Sequence, residues 1–274
     1  MLNKNATSVQ HFQIEKNIAK GTYNMPGGHM HTWNELYYLL EGERRYFIDG
    51  QIYTVHTGDV ILISKSTLHH TTSLSTRQHV RYLVEFSDCL IHESLKAFLD
   101  ECFTVRHFTL TSEQRTEFEH ILQKLDDAQS SEPPFAEALV QAYTTELLVM
   151  LVQLLQSDVQ KREKPKTATE QLIESAIKYI EENLQNELKL TQVAEKYHLS
   201  HSYMSRIFKI YTGFGFNEYL THLRVQKATQ LLRNSSAPIS EIAYQCGFGD
   251  SNYFSTVFKK DTGISPIKYR MLRK

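Results

Sequence analysis

Four residues in the first quarter of the chain have the types and spacing of a convergent polar site. His29, His31 and Glu35 precede Gly42 in the string H-x-H-x3-E-x6-G, and Gly58-Asp59 begins a strand that His69 closes. In extended backbone His29, His31, Glu35, Tyr37 and Leu39 share parity and point to one face. Two imidazoles and a carboxylate aimed into a barrel, met by a third imidazole from a facing strand, have three uses. They can contact a small organic effector, hold a divalent metal such as Zn, Fe, Mn or Ni, or satisfy one another as structural groups. Effector contact is the first reading, because convergent polar groups mark pockets, and Tyr37 and Tyr46 join that candidate pocket. Trp33, Tyr82 and Phe86 are read first as core, and His70, on the opposite face from His69, as exposed.

A second set of residues has the chemistry of DNA contact. Ser202, Tyr203, Ser205, Arg206 and Lys209 share an outward helix face, as do Ser251, Asn252, Tyr253, Ser255, Thr256 and Lys259. An Arg suits guanine O6 and N7, an Asn suits adenine, and Lys reaches phosphates. No Gly-rich phosphate loop, nucleophile elbow or paired carboxylates stand out, so the chain is expected not to be an enzyme.

The elements that must position the second set form an internal repeat. Residues 190–219 and 239–269 are its copies. Leu190, Val193, Ala194 and Tyr197 lie on one helix face, and Ile239, Ile242, Ala243 and Cys246 repeat that spacing. A short turn follows, longer by one residue (Gly249) in copy two. Ser200 and Asp250 then stand as helix N-caps. Met204, Ile207, Phe208 and Tyr211 bury the second helix of copy one; Phe254, Val257 and Phe258 bury that of copy two. Short helix, tight turn and longer helix make a helix-turn-helix. A helix of about 217–233 joins the copies and spaces them for one turn of DNA, roughly 34 Å.

The first set sits among short apolar runs between residues 20 and 86, bounded by Glu41-Gly42, Asp49-Gly50 and Gly58-Asp59, the pattern of a sandwich or barrel. Helices are predicted over 88–102, 112–128 and 134–157. The last carries Leu139, Tyr143, Leu147, Leu148, Leu151, Val152, Leu154 and Leu155, a stripe wide enough to seat a partner helix. The charged, Pro-containing segment beyond it reads as a linker. The expected organisation is residues 1–160, an effector-binding and dimerisation domain; 161–169, a linker; and 170–274, an all-α DNA-binding domain.

Composition fits. The chain has 274 residues and a net charge of -1. That balance hides an asymmetry: residues 166–274 hold 15 Lys and Arg against 10 Asp and Glu, and residues from Ser200 onward 11 against 4. A basic C-terminal end points to a polyanion, and Lys268, Arg270, Arg273 and Lys274 are either further phosphate contacts or a solvated tail. Cys89, Cys102 and Cys246 are scattered, without ligand spacing, and read as small buried residues. With no apolar run of about 18 residues and no apolar leader, the expectation is a cytoplasmic protein with no membrane segment.

Residues 170–274 resemble the DNA-binding domain of the AraC/XylS family. The match runs through Leu190-Thr191, Val193-Ala194, Ser202 to Arg206, Phe208-Lys209, Gly213, Arg224, Ala228 and Leu231-Leu232. It continues through Ile242-Ala243, Cys246-Gly247-Phe248, Asp250, Tyr253-Phe254, Phe258 to Lys260, Gly263, Pro266 and Tyr269-Arg270. Thr256 departs from the family's frequent Arg, which weakens one base contact, and His201 from its frequent Pro. The string from His29 to Gly42 resembles the first cupin motif, and Gly58 to His69 the second, with Ser64 and Ser66 where Pro and Gly are usual. The resemblance implies an N-terminal cupin-like β-barrel followed by helices and a C-terminal all-α domain with two helix-turn-helix units. It further implies a sequence-specific regulator of transcription that binds double-stranded DNA as a homodimer, is controlled by a small molecule (a sugar is the family-level expectation) and meets RNA polymerase. The alternative is a metal-dependent cupin enzyme carrying a DNA-binding domain.

Overall fold

The computed structural model describes residues 11–25, 27–75, 78–132, 135–156 and 165–272. Residues 161–164 of the segment read as a linker, as well as Arg273 and Lys274, lie outside them. The chain divides into two compact units, Met1–Pro165 and Lys166–Lys274.

The first unit is built on eight strands: β1 (Phe12–Ala19), β2 (Asn34–Glu41), β3 (Glu43–Ile48), β4 (Gln51–His56), β5 (Asp59–Ile63), β6 (His69–Ser73), β7 (His79–Phe86) and β8 (His107–Thr109). They form an antiparallel five-stranded sheet, β1-β7-β2-β5-β8, and a three-stranded sheet, β4-β3-β6. Asp49 and Gly50 turn β3 into β4 with φ of 48° and 85°, the left-handed pair a two-residue hairpin turn demands. Period-two alternation separates two cores. Tyr37, Leu39, Ile61 and Ile63 of the larger sheet meet Tyr46, Ile48 and Val55 of the smaller one inside the barrel. Leu36, Tyr38, Val60, Leu62, Tyr82, Val84 and Phe86 face outward, onto helices. With both faces covered, β2 reads as a continuous apolar run. Tyr82 and Phe86 therefore lie on the helix side, outside the barrel.

The covering helices are α1 (Lys96–Val105), α2 (Ser112–Gln129) and α3 (Phe135–Gln156). The single helix expected over 88–102 is instead two 3-10 turns, Asp88–Leu90 and Glu93–Leu95, followed by α1. The His92 side chain accepts from Ser94 N–H and restarts the chain there. The eight apolar side chains predicted to leave a partner seam on α3 all lie in or against this unit's own core. By length and composition α3 could cross a membrane. Thr144, Leu147, Leu148, Leu151 and Leu154 are nevertheless buried within the unit.

The second unit holds α4 (Ala168–Glu182), α5 (Leu190–Lys196), α6 (His201–Thr212), α7 (Phe216–Asn234), α8 (Ile239–Gln245), α9 (Ser251–Thr262) and α10 (Pro266–Met271). Thr167 and Glu170 form a capping box, so α4 starts inside the expected linker. α7 is buried on several faces because it serves two cores. Near its start the Phe208 ring lies 6.1 Å from Phe216 and 5.5 Å from Tyr219. Toward its end Val225, Ala228 and Leu232 pack with Ile242, Ala243, Phe254 and Phe258.

Candidate DNA interface and barrel site

The two helix-turn-helix units, α5–α6 and α8–α9, repeat down to individual hydrogen bonds. Their turns place a left-handed residue at matching positions, His198 (φ 55°) and Gly247 (φ 84°). Ser200 Oγ accepts from Tyr203 N–H, and Asp250 Oδ1 accepts from Tyr253 N–H at 2.6 Å. Each cap satisfies an otherwise orphaned donor and is worth about 1 kcal/mol. Both helices end at a left-handed glycine, Gly213 or Gly263, whose N–H reaches Lys209 or Lys259. Thr212 and Thr262 each donate a hydroxyl to the carbonyl four residues earlier.

On α6, Ser202, Tyr203, Ser205, Arg206 and Lys209 are all exposed. Four of them, with His201 and Ile210, line one concave surface. The Arg206 guanidinium sits over the Tyr203 ring, 5.4 Å from its centroid. Tyr211, expected on the buried face, is half-buried, and Thr212 is fully buried beside it. On α9, Asn252, Tyr253, Thr256 and Lys259 are exposed and Ser251 is half-buried. Thr256 turns its hydroxyl back to the Asn252 carbonyl at 3.0 Å, so it offers DNA less reach than an arginine would. His201 and Ile210 were missed because neither residue type signals a contact; only the helix phase brings them to this face.

In the first unit the structure brings His29, His31, Glu35 and His69 together: one ligand atom from each lies within 4.8 Å of all the others. Parity is not what gathers them. β2 starts at Asn34, and His29 is held by a bridge to His69 with N–H···O contacts of 3.0 and 3.1 Å. His69 opens β6 rather than closing the strand that begins at Asp59. His70 is 5% exposed, against expectation, because Met25 and His29 bond the backbone of Thr71 and His69 on either side of it and the Gly27 backbone bonds its ring.

The imidazoles are oriented from behind. His31 Nδ1 bonds the Trp33 carbonyl at 2.8 Å and His69 Nδ1 the Thr67 carbonyl at 2.9 Å. A carbonyl only accepts, so these nitrogens carry the protons and the Nε2 atoms turn inward. His31 Nε2 lies 3.0 Å and His69 Nε2 3.6 Å from Glu35 Oε2, and His69 Nε2 is buried without a hydrogen-bond partner. Inward Nε2 atoms, a buried carboxylate and carbonyl-held Nδ1 atoms are the donor set a divalent cation needs once His31 gives up the Nε2 proton that bonds Glu35. Burial opposes charge on Glu35, yet His31 and His69 hold its carboxyl far below the ordinary range. Burial, then His69, pushes His29 down to about 4. Burial also acts against charge on His31, but hydrogen bonding to Glu35 and its negative charge raise it on balance.

Tyr37 and Tyr46 stand one layer deeper, with ring centroids 4.9 Å apart. Beyond them lie Arg44, Arg81 and His79, which nothing in the local sequence marks as interior. Arg44 shares a face with Tyr46, two residues on, but an arginine in a strand reads as outward.

Two family models match the chain: a cupin domain over residues 16–86 and a helix-turn-helix domain over residues 193–271, together more than half of it. Among curated proteins the chain is similar to the HTH-type transcriptional activator RhaR of Mannheimia succiniciproducens, with 24% identity over 88% of this chain and 86% of that one. To RhaR of Shigella dysenteriae serotype 1 it is 29% identical over 89% of this chain and 86% of that one. Among solved structures it matches the C-terminal domain of AraT, a response regulator from Geobacillus stearothermophilus, at 38% identity over 39% of this chain and 89% of that one (TM-score 0.38). ToxT of Vibrio cholerae matches over 95% of this chain and 98% of that one, at 15% identity and a TM-score of 0.38. With a cupin domain, two helix-turn-helix units and full-length relatives of the same order, the chain belongs to the AraC/XylS family of DNA-binding transcription regulators.

Proposed function

We propose that a small molecule bound in the barrel of the first unit controls how α6 and α9 are presented to DNA, and that the outcome is activation of transcription. The observation that carries this is the convergent polar interior: Glu35, His69, Tyr37 and Tyr46 face one another inside a barrel attached to a DNA reader. An effector acts by binding one arrangement of the reader more tightly than another. His29, His31, Glu35 and His69 would hold a divalent cation, which would supply a positive centre for an effector oxygen. The RhaR relatives are activators by name, which supports activation, contact with RNA polymerase and work in the cytoplasm, where the DNA is. Leu139, Tyr143 and Leu155 on α3 pack against the unit's own core yet stay half-exposed, and that remaining apolar surface is what supports a homodimer.

The test is selection of DNA fragments by full-length protein across a salt series. The expected result is a motif of two boxes about 10 base pairs apart per protomer, with affinity altered by the small molecule to which the flanking genes point. Retention blind to sequence, for both the full chain and residues 166–274, would overturn the reading. A second reading, a metal-dependent cupin enzyme with a DNA-binding domain, rests on the same four ligands. Stoichiometric Fe or Mn in purified protein, with turnover of a small acid or sugar, would favour it.

A further inference from the structure

The barrel interior has two ends of different charge. Strand pairing sets the order of its layers. In the smaller sheet Ile48 pairs with His69, Tyr46 with Thr71 and Arg44 with Ser73. In the larger, Glu35 pairs with Glu85, Tyr37 with Leu83 and Leu39 with Arg81. Glu35 and His69 thus mark one end, Tyr37 and Tyr46 the middle, and Arg44 and Arg81 the other end, each layer about 6.6 Å from the next.

The Arg end is positive without compensation. Arg44 is 1% exposed. Its Nε donates to Thr71 Oγ1, and its Nη1 donates to the Tyr23 carbonyl and to Ser73 Oγ, at 3.2, 2.6 and 2.7 Å. All three acceptors are neutral, and a guanidinium cannot shed its proton. Arg81 lies over the Tyr37 ring at 5.6 Å. Among the described residues neither arginine has a carboxylate partner. Among the described residues the Tyr37 hydroxyl is buried with no hydrogen-bond partner, and burial pushes its pKa up to about 12, so it keeps its proton to donate. His79, beside them, is driven down to about 4 by burial and by the charges of Arg44 and Arg81, a sign of the local positive potential. A buried cation costs much unless paired, and buried Arg44 with half-buried Arg81 and the Tyr37 hydroxyl at the same end of the barrel is a donor set that suits a carboxylate.

We propose that the Arg44–Arg81 end is a carboxylate-binding subsite, so that the effector is a small hydroxylated organic acid rather than a neutral sugar. Its carboxylate accepts from the two guanidinium groups and the Tyr37 hydroxyl, and its hydroxyl groups lie past Tyr46 toward Glu35 and His69. This rests on the reading that the barrel binds the effector.

The test uses full-length protein and the smallest carboxylate as probe. Thermal unfolding is followed with sodium acetate, and with its neutral isostere acetamide in sodium chloride at equal ionic strength. Acetate should raise the melting temperature of the first unit by about 2 °C at 100 mM, acetamide should not, and Arg81→Gln should abolish the acetate effect while Arg81→Lys retains part of it. Because half-buried Arg81 lacks an acidic partner, Arg81→Gln should also melt no lower than wild type without acetate, which separates loss of the subsite from loss of the fold. Acetate that stabilises neither protein, or both equally, overturns the subsite. DNA affinity, measured alongside, separates the two readings. If D-galactose alters it and acetate stabilises nothing, the acid class falls and effector control stands. If acetate and glycolate bind at Arg81 but leave DNA affinity unaltered, the subsite stands and effector control loses its support.

Discussion

At the scale of single residues, exposure and chemistry divide the candidate DNA contacts into expected base readers and expected phosphate anchors. Arg206 is exposed, and its stacking on Tyr203 fixes where its fork starts from. Arg206→Ala is expected to cost about 1–3 kcal/mol and to relax preference at one base pair, as bidentate contact to guanine would; selection of DNA by the variant reads both. Lys259 sits at the end of α9 with a backbone role that any residue can fill. Lys259→Ala should weaken all sequences alike and lower the slope of log affinity against log salt by about one; an unchanged slope removes Lys259 from the phosphate contacts. In the barrel, His29, His31, Glu35 and His69 were legible as a set because their types are rare together. Arg44 and Arg81 were not, because side-chain type says nothing about whether a strand's polar face is covered.

At the scale of elements, the turns decide the geometry. Gly247 has φ of 84°, and a Cβ there would stand 2.2 Å from the Leu184 carbonyl and 2.9 Å from Arg224 Nε. Arg224 in turn donates to the Leu184 and Asn186 carbonyls at 3.0 and 2.8 Å, tying the end of α4 to the second turn. Gly247→Ala should therefore destabilise residues 166–274 by about 1–3 kcal/mol or more, whereas Gly249→Ala, with open space around its Cβ, should change little. Denaturant midpoints of the two variants make the comparison. Caps and periodicity made α6 and α9 readable to the residue. The stretch after Ser87 was misread because an apolar pattern of helical spacing carries no mark of the His92 restart.

At the scale of the whole molecule, the two units carry different chemistry, and acid should tell them apart. The unfolded chain takes up a proton on His79 near its ordinary value of 6.5, while the folded barrel resists until about 4. Folding is then unpenalised above pH 6.5 and loses stability as pH falls from 6.5 toward 4. His29 adds in the same direction; the raised His31 opposes it. Chemical denaturation of the first unit at pH 7, 6 and 5 should show this loss, and His79→Gln should flatten it; a pH-independent midpoint would refute it. The sequence by itself determined the order of units, the repeat, its caps and turns, and hence which side chains α6 and α9 turn outward, because each depends on local spacing within one helix or turn. Tertiary structure alone decided which polar residues share the barrel, that His70 is covered, that most of the α3 stripe is buried in its own unit, and that two arginines at one end of the barrel have no carboxylate partner among the described residues. Those outcomes depend on which strands pair and what packs over them, contacts between residues far apart in the chain that local spacing does not encode.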